Sequence, residues 1–290
     1  MNYPNDYIIE CYQKITKYPV VSDLKKIIKK SLDNNPYQEN SDFYFMWKEQ
    51  CGINGPLLYL ASLVLYQWGQ KNNIKNYLFA TRDCTHWYKI FTKLFPNINA
   101  TYFNCSRNSL SRATDSDNIY YDNYVSHVMK DYLPNQTIFV DIHGTGVRIL
   151  RYFQKKYNSC PFVFLLSSSY QKYSLFPHIS FNHQQNDKLL VIVFDTKGTP
   201  IESLNFDIIG TLQSYDENGP VRDPPEYSLK YLEPYHVMIN YMITKIKPID
   251  TNLIKNTDFK DLCKFVNIYF VPLKEFNPII TKFIRQPCKH

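Results

Sequence analysis

The sequence lacks the residue spacings of a disulfide framework or a structural zinc site. Its seven Cys are an odd number, and none forms a C-x-x-C pair. His143 and Cys105 have no neighbours at the spacing of metal ligands. We therefore predict a fold that neither disulfides nor a structural zinc ion hold together.

Long apolar runs are missing as well. The longest, PLLYLASLVLYQW at residues 56–68, is shorter than the ~20 apolar residues that span a bilayer. It follows Gly55-Pro56, a pair that favours the start of a buried helix. The N-terminus, MNYPNDYIIECYQK, is polar and lacks the apolar stretch of a signal peptide. We expect a soluble, intracellular (cytoplasmic) protein without a membrane span.

Basic clusters interleaved with aromatic residues are also lacking. The formal net charge is +7, but the Lys residues are scattered or in short pairs. None alternates with aromatics as on an RNA-binding sheet, so the sequence argues against a nucleic-acid partner. A mild positive charge still favours a phosphate-bearing ligand. The 25 Tyr and 19 Phe, with frequent Asn and Lys, are typical of an AT-rich genome.

Short apolar runs alternate with helical patterns over the middle of the chain. In the helical segment 84–95, Trp87, Ile90, Phe91 and Leu94 recur on one face. Five apolar runs predict strands at 76–83, 99–107, 137–144, 162–169 and 189–195. Short buried strands separated by helices are typical of a parallel sheet covered on both faces. The sequence therefore predicts an α/β, Rossmann-like fold with a parallel sheet of about five strands and helical additions at both ends.

Helical patterns flank the alternating region. Between the second and third strands, a polar stretch at 108–124 precedes a helical pattern at 125–133, and the third strand leads into a helix at 147–157. We interpret the chain as a helical lead-in, an α/β phosphate-binding core and a helical extension of the same domain, at residues 1–72, 73–215 and 216–290.

Polar residues follow three of the predicted strands at the point where each strand ends. They are Arg82-Asp83, Ser106-Arg107 and the segment from Asp141 to Gly146. The carboxyl ends of parallel strands lie at one edge of a sheet, and ligands of doubly wound folds bind there. We predict a candidate site at which the three strand ends converge.

The third of these strand ends, FVDIHGTGVRIL, has the features of a phosphate cradle. Glycines let backbone N–H groups approach a ligand, and the following helix N-terminus adds a partial positive charge. We predict that Gly144, Thr145 and Gly146 bind phosphate and that Asp141 binds Mg²⁺ or sugar hydroxyls. The alternative is a turn that only reverses the chain.

The other two strand ends offer cations, a hydroxyl and a carboxylate. Arg82 can fork onto phosphate oxygens, and Ser106 and Arg107 are candidates for a second phosphate contact. Asp83 is a candidate catalytic group or, alternatively, the cap of the helix that opens near Cys84. Arg107 is alternatively a surface ion-pair residue.

Further residues are candidates on weaker grounds. Asp195 ends the fifth strand, where it would be a second metal ligand. Glu202 lies in the first turn of a helix starting at Thr199-Pro200, where a carboxylate normally offsets the helix dipole. Cys84 and Cys105 lie near the predicted site, but no base at known distance supports a thiol nucleophile.

The order of elements resembles the type I phosphoribosyltransferase fold. In VDIHGTGVR the chain keeps one acid, Asp141, and the pair Thr145-Gly146, while Ile142 stands in place of a second acid and Arg148 near a final Thr. The resemblance implies a transferase in which Asp141 binds the ribose hydroxyls or Mg²⁺. It also implies arginines that neutralise the departing pyrophosphate.

A closer resemblance is to an uncharacterised α/β domain found beside glycosyltransferase and haloacid-dehalogenase-like modules in bacterial polysaccharide loci. It rests on TRDC, NCSRNSL, VDIHGTG and IESLNFDIIGTLQSYDENGPV, in the same order over residues 75–245. Cys84 and His143 stand where that domain has glycines. This resemblance implies no particular activity.

A third resemblance is to haloacid dehalogenase-type phosphatases, on FVDIHGTGV. It implies Asp141 as the nucleophile and His143 at the position of the acid/base. FLLSSSYQK would supply a Ser and a Lys, and Asp195 would bind the metal. A binding module that kept the fold and lost the chemistry is a further alternative, and the sequence leaves oligomerisation open.

Overall fold

The chain folds around a twisted layer of parallel strands, described here by a computed structural model over residues 5–15, 18–169, 183, 186–194, 199–225, 229–270 and 277–284. Five strands form the main sheet, in the order β2-β1-β3-β4-β5, and every neighbouring pair is parallel. Their bounds are β1 Asn76–Ala80, β2 Asn99–Phe103, β3 Thr137–His143, β4 Phe162–Ser168 and β5 Leu189–Phe194. The predicted α/β, Rossmann-like class with about five parallel strands is confirmed.

The strand order places a topological switch between β1 and β3. From β1 the chain moves outward to β2, then returns past β1 to continue with β3, β4 and β5 on the other side. In this doubly wound order, 2-1-3-4-5, ligands bind in the crevice outside the carboxyl ends of the strands at the switch. The order alone therefore directs attention to the residues that follow β1 and β3.

Helices cover both faces of this sheet. Up to the end of β4 they are α1 Asn5–Ile15, α2 Ser22–Asp33, α3 Asp42–Glu49, α4 Gly55–Lys71, α5 Thr85–Leu94, α6 Arg107–Asp115, α7 Ile119–Met129 and α8 Val147–Tyr157. After β5 come α9 Thr199–Leu204, α10 Leu229–Ile243, α11 Thr251–Lys255, α12 Phe259–Phe270 and α13 Thr281–Ile284. Short 3₁₀ turns occupy Pro19–Val21 and Pro134–Gln136.

Aromatic contacts show which helices cover which face. Trp87 of α5 packs edge-on against Phe79 and Phe164, and Trp68 of α4 packs against Phe164 as well. On the opposite face, Phe103 packs against Tyr124 of α7. Alternation along the strands explains the division, because successive side chains of a strand point to opposite faces.

The buried helix begins at Gly55, as the sequence predicted, but it continues from α3 without a break. Gln50–Asn54 form a π-turn that joins α3 to α4, and the Asn54 and Gly55 backbones are helical (φ −64°, ψ −54° and φ −57°, ψ −47°). A proline inside a helix removes an N–H and crowds the preceding turn, and one wide turn accommodates both effects. The start of α4 was therefore predicted correctly, whereas the π-turn that joins it to α3 was not predicted.

The polar stretch at 108–124 is helical rather than irregular. β2 ends at Phe103, four residues before the predicted end at 107, and α6 starts at Arg107. The helix predicted at 125–133 starts earlier, at Ile119, where the Asn118 side chain caps it by accepting from Tyr121 N–H at 3.0 Å. The apolar signal of α6 is weak because it buries few residues, Ser109, Leu110 and Ala113, and one of them is polar.

Residues after β5 add a small helix and a second, two-stranded sheet. The antiparallel hairpin pairs β6, Leu212–Asp216, with β7, Gly219–Arg222. The sequence did not predict its two strands. The predicted boundary between residues 215 and 216 falls inside this hairpin.

The two ends of the described chain pack on the same side as α4. Cys11 Sγ of α1 lies 3.3 Å from the Ile268 carbonyl of α12, and the fully buried Glu49 accepts a hydrogen bond from Ile279 N–H at 2.9 Å. Over the ranges given above, no helix has the length and apolar character needed to cross a membrane.

Candidate functional site

The predicted convergence of three strand ends is present at the carboxyl edge of the sheet. β1 lies between β2 and β3, so the residues after it lie beside both neighbours. Thr81 fixes the gap to β2, since its hydroxyl donates to the Cys105 carbonyl at 2.9 Å and accepts from Cys105 N–H at 3.2 Å. The edge thus holds the segments that begin at Thr81, Asn104 and Asp141.

Three carboxyl groups interact electrostatically at this edge: Asp83 after β1, Asp141 in β3 and Glu202 in α9. Burial raises the pKa of Asp83 to about 7; the charge of Glu202 raises it further, while Arg82 and Arg107 lower it. Burial also raises the pKa of Asp141 well above its usual value, and the charges of Asp83 and Glu202 add to that rise. Burial and neighbouring negative charge therefore both favour the protonated forms of Asp83 and Asp141.

The carboxyl groups of Asp141 and Asp83 differ in their local partners. Asp141 Oδ1 accepts from the Ile142 N–H at 2.8 Å, and its other oxygen faces Gly144, where a Cβ would stand 3.1 Å from Oδ2. Asp83 Oδ1 is buried and has no hydrogen-bond partner among the described residues. Asp83 does not cap α5 either: the cap position is Cys84, and no side chain caps that helix end. This leaves the Asp83 carboxyl group available for a ligand.

The Gly-Thr-Gly turn is built as the sequence predicted, between the tip of β3 and the start of α8. Gly146 occupies the N-cap position of α8 in the left-handed conformation (φ 70°), and no side chain caps the helix. A Cβ on Gly146 would stand 2.9 Å from Val163 Cγ1, so the position requires glycine. Ser168 of β4 holds the turn by donating from its hydroxyl to the Gly144 carbonyl at 2.6 Å. The N-terminal amides of α8 therefore open at the same edge as Asp141.

His143 is buried beside the next strand. Its Nδ1 lies 2.9 Å from Ser167 Oγ, and the Ser167 hydroxyl donates to the Ile142 carbonyl at 3.0 Å. Because the single hydroxyl proton goes to that carbonyl, Ser167 accepts from His143, which places the imidazole proton on Nδ1. His143 is thus held by Ser167 in a defined tautomer with Nε2 as the basic nitrogen.

Arg82 adopts an unusual backbone conformation for a non-glycine residue, with φ of 71°. Its backbone N–H donates to the Tyr102 hydroxyl at 2.8 Å, and its guanidinium donates to the hydroxyl of Thr211. Tyr102 in turn donates to Asp207 Oδ2 at 2.5 Å. The sequence predicted Arg82 at this edge but not the residues that hold it.

Ser106 and Arg107 have different roles from each other. Ser106 caps α6 by accepting from Ser109 N–H at 3.0 Å, and its own hydroxyl donates to the Leu212 carbonyl at 2.5 Å. The Ser106 hydroxyl thus already makes two structural hydrogen bonds, which would compete with its predicted binding of substrate. Arg107 is exposed at the start of α6, and its charge lowers the pKa of Asp83 and of Asp141.

The two cysteines near the edge are poor candidates for nucleophiles. Cys84 and Cys105 are both buried. Burial raises the pKa of each thiol, and the negative charge of Asp141 raises both further. A thiol, rather than a thiolate, therefore persists at each position near neutral pH, and only the thiolate is nucleophilic.

Whether the edge can hold Mg²⁺ depends on its oxygen donors. Asp141 supplies carboxylate oxygens of the kind that Mg²⁺ prefers, and the buried, unpartnered Asp83 Oδ1 could accept a hydrogen bond from a water held by the ion. No group of three His, Cys, Asp or Glu residues has the spacing of a complete metal site within the described ranges. Asp195, the predicted second ligand, lies outside the described residues. The donors present suit an ion that keeps several waters and phosphate oxygens as its remaining ligands.

Sequence reasoning missed the contribution of residues 199–211. Glu202 was interpreted as an ordinary first-turn acid, and it does lie in the first turn of α9. The structure also brings it near Asp83 and Asp141. Tyr102 and Asp207 gave no signal, because an aromatic residue in a strand and an Asp in a loop are both common.

Comparisons with known proteins identify no relative. No family model matches the chain. No curated protein shows significant sequence similarity to it. The functional argument therefore rests on the geometry of the carboxyl edge.

Proposed function

We propose that the chain binds a phosphorylated sugar or nucleotide together with Mg²⁺ at the carboxyl edge of its sheet, and that it transforms this ligand as a divergent phosphoribosyltransferase-like enzyme. The observation that carries the proposal is the pairing of opposite features on β3. The N-terminal amides of α8, which no side chain caps, suit an anion. Asp141, near the end of the strand that leads into the turn, suits a cation. A metal-bound phosphate satisfies both.

Each part of the edge has a task in this proposal. Gly144, Thr145 and Gly146 would hold the phosphate, because the backbone at the turn is accessible and α8 begins there. Arg82 and Arg107 would neutralise the negative charge that develops on a departing pyrophosphate. Bound Mg²⁺ would supply positive charge between the Asp141 carboxylate and the phosphate oxygens.

Asp83 and His143 are the groups suited to move a proton. With a pKa of about 7, Asp83 exchanges its proton near neutral pH, as a general acid or base requires. His143 offers Nε2 as the basic atom while Ser167 holds Nδ1. Asp141, whose pKa is raised further by Asp83, would bind ligand once the cation has displaced its proton.

Hydrogen–deuterium exchange tests where the ligand binds. Phosphoribosyl pyrophosphate with Mg²⁺ should slow exchange in peptides that cover residues 81–85 and 141–148. Peptides from α12, on the far side of α4, serve as the internal control and should not change. Equal exchange with and without ligand at the carboxyl edge would contradict the proposal.

The phosphatase alternative is less well supported by the same geometry. The phosphatase motif needs a second acid two residues after the nucleophile, and His143 stands at that position. In addition, β1 contributes Arg82 and Asp83 to the edge, which a motif confined to β3 does not use. Beryllium fluoride separates the two functions: stable adduct formation at Asp141 would favour the phosphatase.

A further inference from the structure

The chain of hydrogen bonds behind Arg82 extends the proposed site to residues that would touch no ligand. Arg82 follows β1 in the left-handed region, at φ 71°, which disfavours any residue with a Cβ. Such a conformation persists only where the surroundings enforce it. Its neighbours Thr81 and Asp83 face Cys105 and the acidic cluster respectively, so the Arg82 backbone decides how both are presented.

Tyr102 supplies the contact that enforces this conformation. It lies in β2 opposite Phe79, one strand away from Arg82. Its hydroxyl accepts from the Arg82 N–H at 2.8 Å and donates to Asp207 Oδ2 at 2.5 Å. The ring stacks on Tyr88 of α5 with centroids 5.8 Å apart, which fixes the hydroxyl in place.

Asp207 completes the arrangement from a segment that is itself anchored. Its other oxygen, Oδ1, accepts from the Ile208 N–H at 2.7 Å. The carbonyl of the preceding residue, Phe206, lies 2.7 Å from Nε2 of the buried His236. Thr211, four residues further on, accepts from the Arg82 guanidinium. The segment 206–211 therefore holds Arg82 at both ends, through Tyr102 at its backbone and through Thr211 at its side chain.

We infer that Tyr102 and Asp207 are positioning residues, which hold Arg82 in its left-handed conformation and direct its guanidinium to the carboxyl edge where it binds an anion. The anion-binding part of this inference rests on the proposed function. The carboxylate of Asp207 orients the Tyr102 hydroxyl so that its lone pair faces the Arg82 N–H. Affinity for pyrophosphate then depends on two residues that do not contact it.

The test is a double-mutant cycle with inorganic pyrophosphate and Mg²⁺ as the probe. Tyr102→Phe removes only the hydroxyl and should weaken pyrophosphate binding about tenfold, the size of one lost hydrogen bond to a charged acceptor. Asp207→Asn should act in the same direction. In an Arg82→Ala background, Tyr102→Phe should cause a smaller loss, because the guanidinium is gone and only the backbone N–H remains to be positioned.

Tyr152→Phe is the matched control. Its hydroxyl donates to Asp122 at 2.8 Å, so it removes a comparable Tyr–Asp hydrogen bond on the α7–α8 side. It should leave pyrophosphate affinity unchanged. A loss in Tyr102→Phe that persists equally without Arg82 would overturn the inference, since it would show a general structural effect.

Hydrogen exchange of the Arg82 N–H tests whether Tyr102 positions Arg82, and it needs no ligand. The Arg82 N–H should exchange at least about tenfold faster in Tyr102→Phe than in the wild type, because its acceptor is removed. Unchanged exchange would overturn the inference even if pyrophosphate binds. Faster exchange in a protein that binds no pyrophosphate would support the positioning and contradict the proposed function, so the two failures are distinguishable.

Discussion

At the scale of single residues, the carboxyl edge is defined by groups that are costly to place together. The charge of Asp83 raises the pKa of Asp141, and the charge of Glu202 raises the pKa of both. Arg82 lies in a strained backbone region beside them. Perturbed acids and strained residues collect at functional sites because the surrounding fold must stabilise them for a purpose beyond folding.

Gly146 offers a test of the turn itself. Gly146→Ala should destabilise the protein by about 2 kcal/mol, because alanine is strained at φ 70° and its Cβ would stand 2.9 Å from Val163. Chemical denaturation measures the change. Gly219→Ala is the control: its φ is also positive, at 113°, but no atom lies within 4 Å of the added Cβ. A loss at Gly146 no larger than that at Gly219 would contradict the close contact with Val163.

Glu49 makes stability depend on pH. Burial raises its pKa from 4.5 to about 8. The unfolded chain loses this proton near pH 4.5 and the folded chain near pH 8, so its contribution is fully present below pH 4.5 and is lost as the pH rises to 8. Between pH 4.5 and pH 8.5, the free energy of unfolding of Glu49→Gln should therefore increase by roughly 2–4 kcal/mol relative to that of wild type.

Denaturation of Glu49→Gln at several pH values checks this expectation. The glutamine keeps an oxygen that can accept from the Ile279 N–H. Glu10→Gln is the control, because Glu10 is exposed in an ion pair with Lys14 and should show no such gain. Parallel pH profiles for wild type and Glu49→Gln would mean that Glu49 is ionised in the folded protein.

At the scale of elements, the π-turn between α3 and α4 positions α9. Gln50 Nε2 donates to the Leu204 carbonyl at 2.8 Å, and Asn54 and Asn205 exchange hydrogen bonds of 3.1 Å and 2.9 Å through their amides. All three amides are fully buried. Because α9 carries Glu202, this buried amide cluster links the helical lead-in to the carboxyl edge.

Asn54→Ala tests the amide cluster. It should destabilise the protein by about 2–3 kcal/mol, since buried polar groups of Gln50 and Asn205 lose their partner. Asn34→Ala is the control: its amide also donates to a carbonyl, at 2.7 Å, but the residue is exposed. Asn34→Ala should change the free energy of unfolding by no more than about 0.5 kcal/mol. Equal effects in the two variants would contradict a stabilising role for the cluster.

The elements that the sequence predicted best are those with strong, uninterrupted patterns. α8 was predicted at its observed bounds, because an amphipathic run lies between Gly146 and Asn158, both in the left-handed conformation. The start of α4 at Gly55-Pro56 was also predicted, whereas the π-turn that joins α4 to α3 was not. The β6–β7 hairpin was missed because its strands are short and only half-buried.

At the scale of the whole molecule, topology explains why part of the site could be predicted. Three parallel strands fix where Arg82, Asp83 and Asp141 converge, and the periodicity of the sequence shows those strands. Glu202 and Asp207 join them only through the return of residues 199–211 to the carboxyl edge. No local sequence pattern specifies such a long-range approach, so the place of these residues in the site could be found only from the structure.

The central claim is that Asp141 anchors a Mg²⁺-dependent phosphosugar site, and calorimetric titration with phosphoribosyl pyrophosphate tests it most directly. Asp141→Asn keeps the shape of the side chain, and Asp117→Asn, which removes an exposed carboxylate paired with Lys155 and Lys156, is the control. The account predicts binding that requires Mg²⁺, strengthens above pH 7 as Asp83 loses its proton, and disappears in Asp141→Asn alone. Binding that is absent in the wild type, or equal in Asp141→Asn and Asp117→Asn, would contradict it.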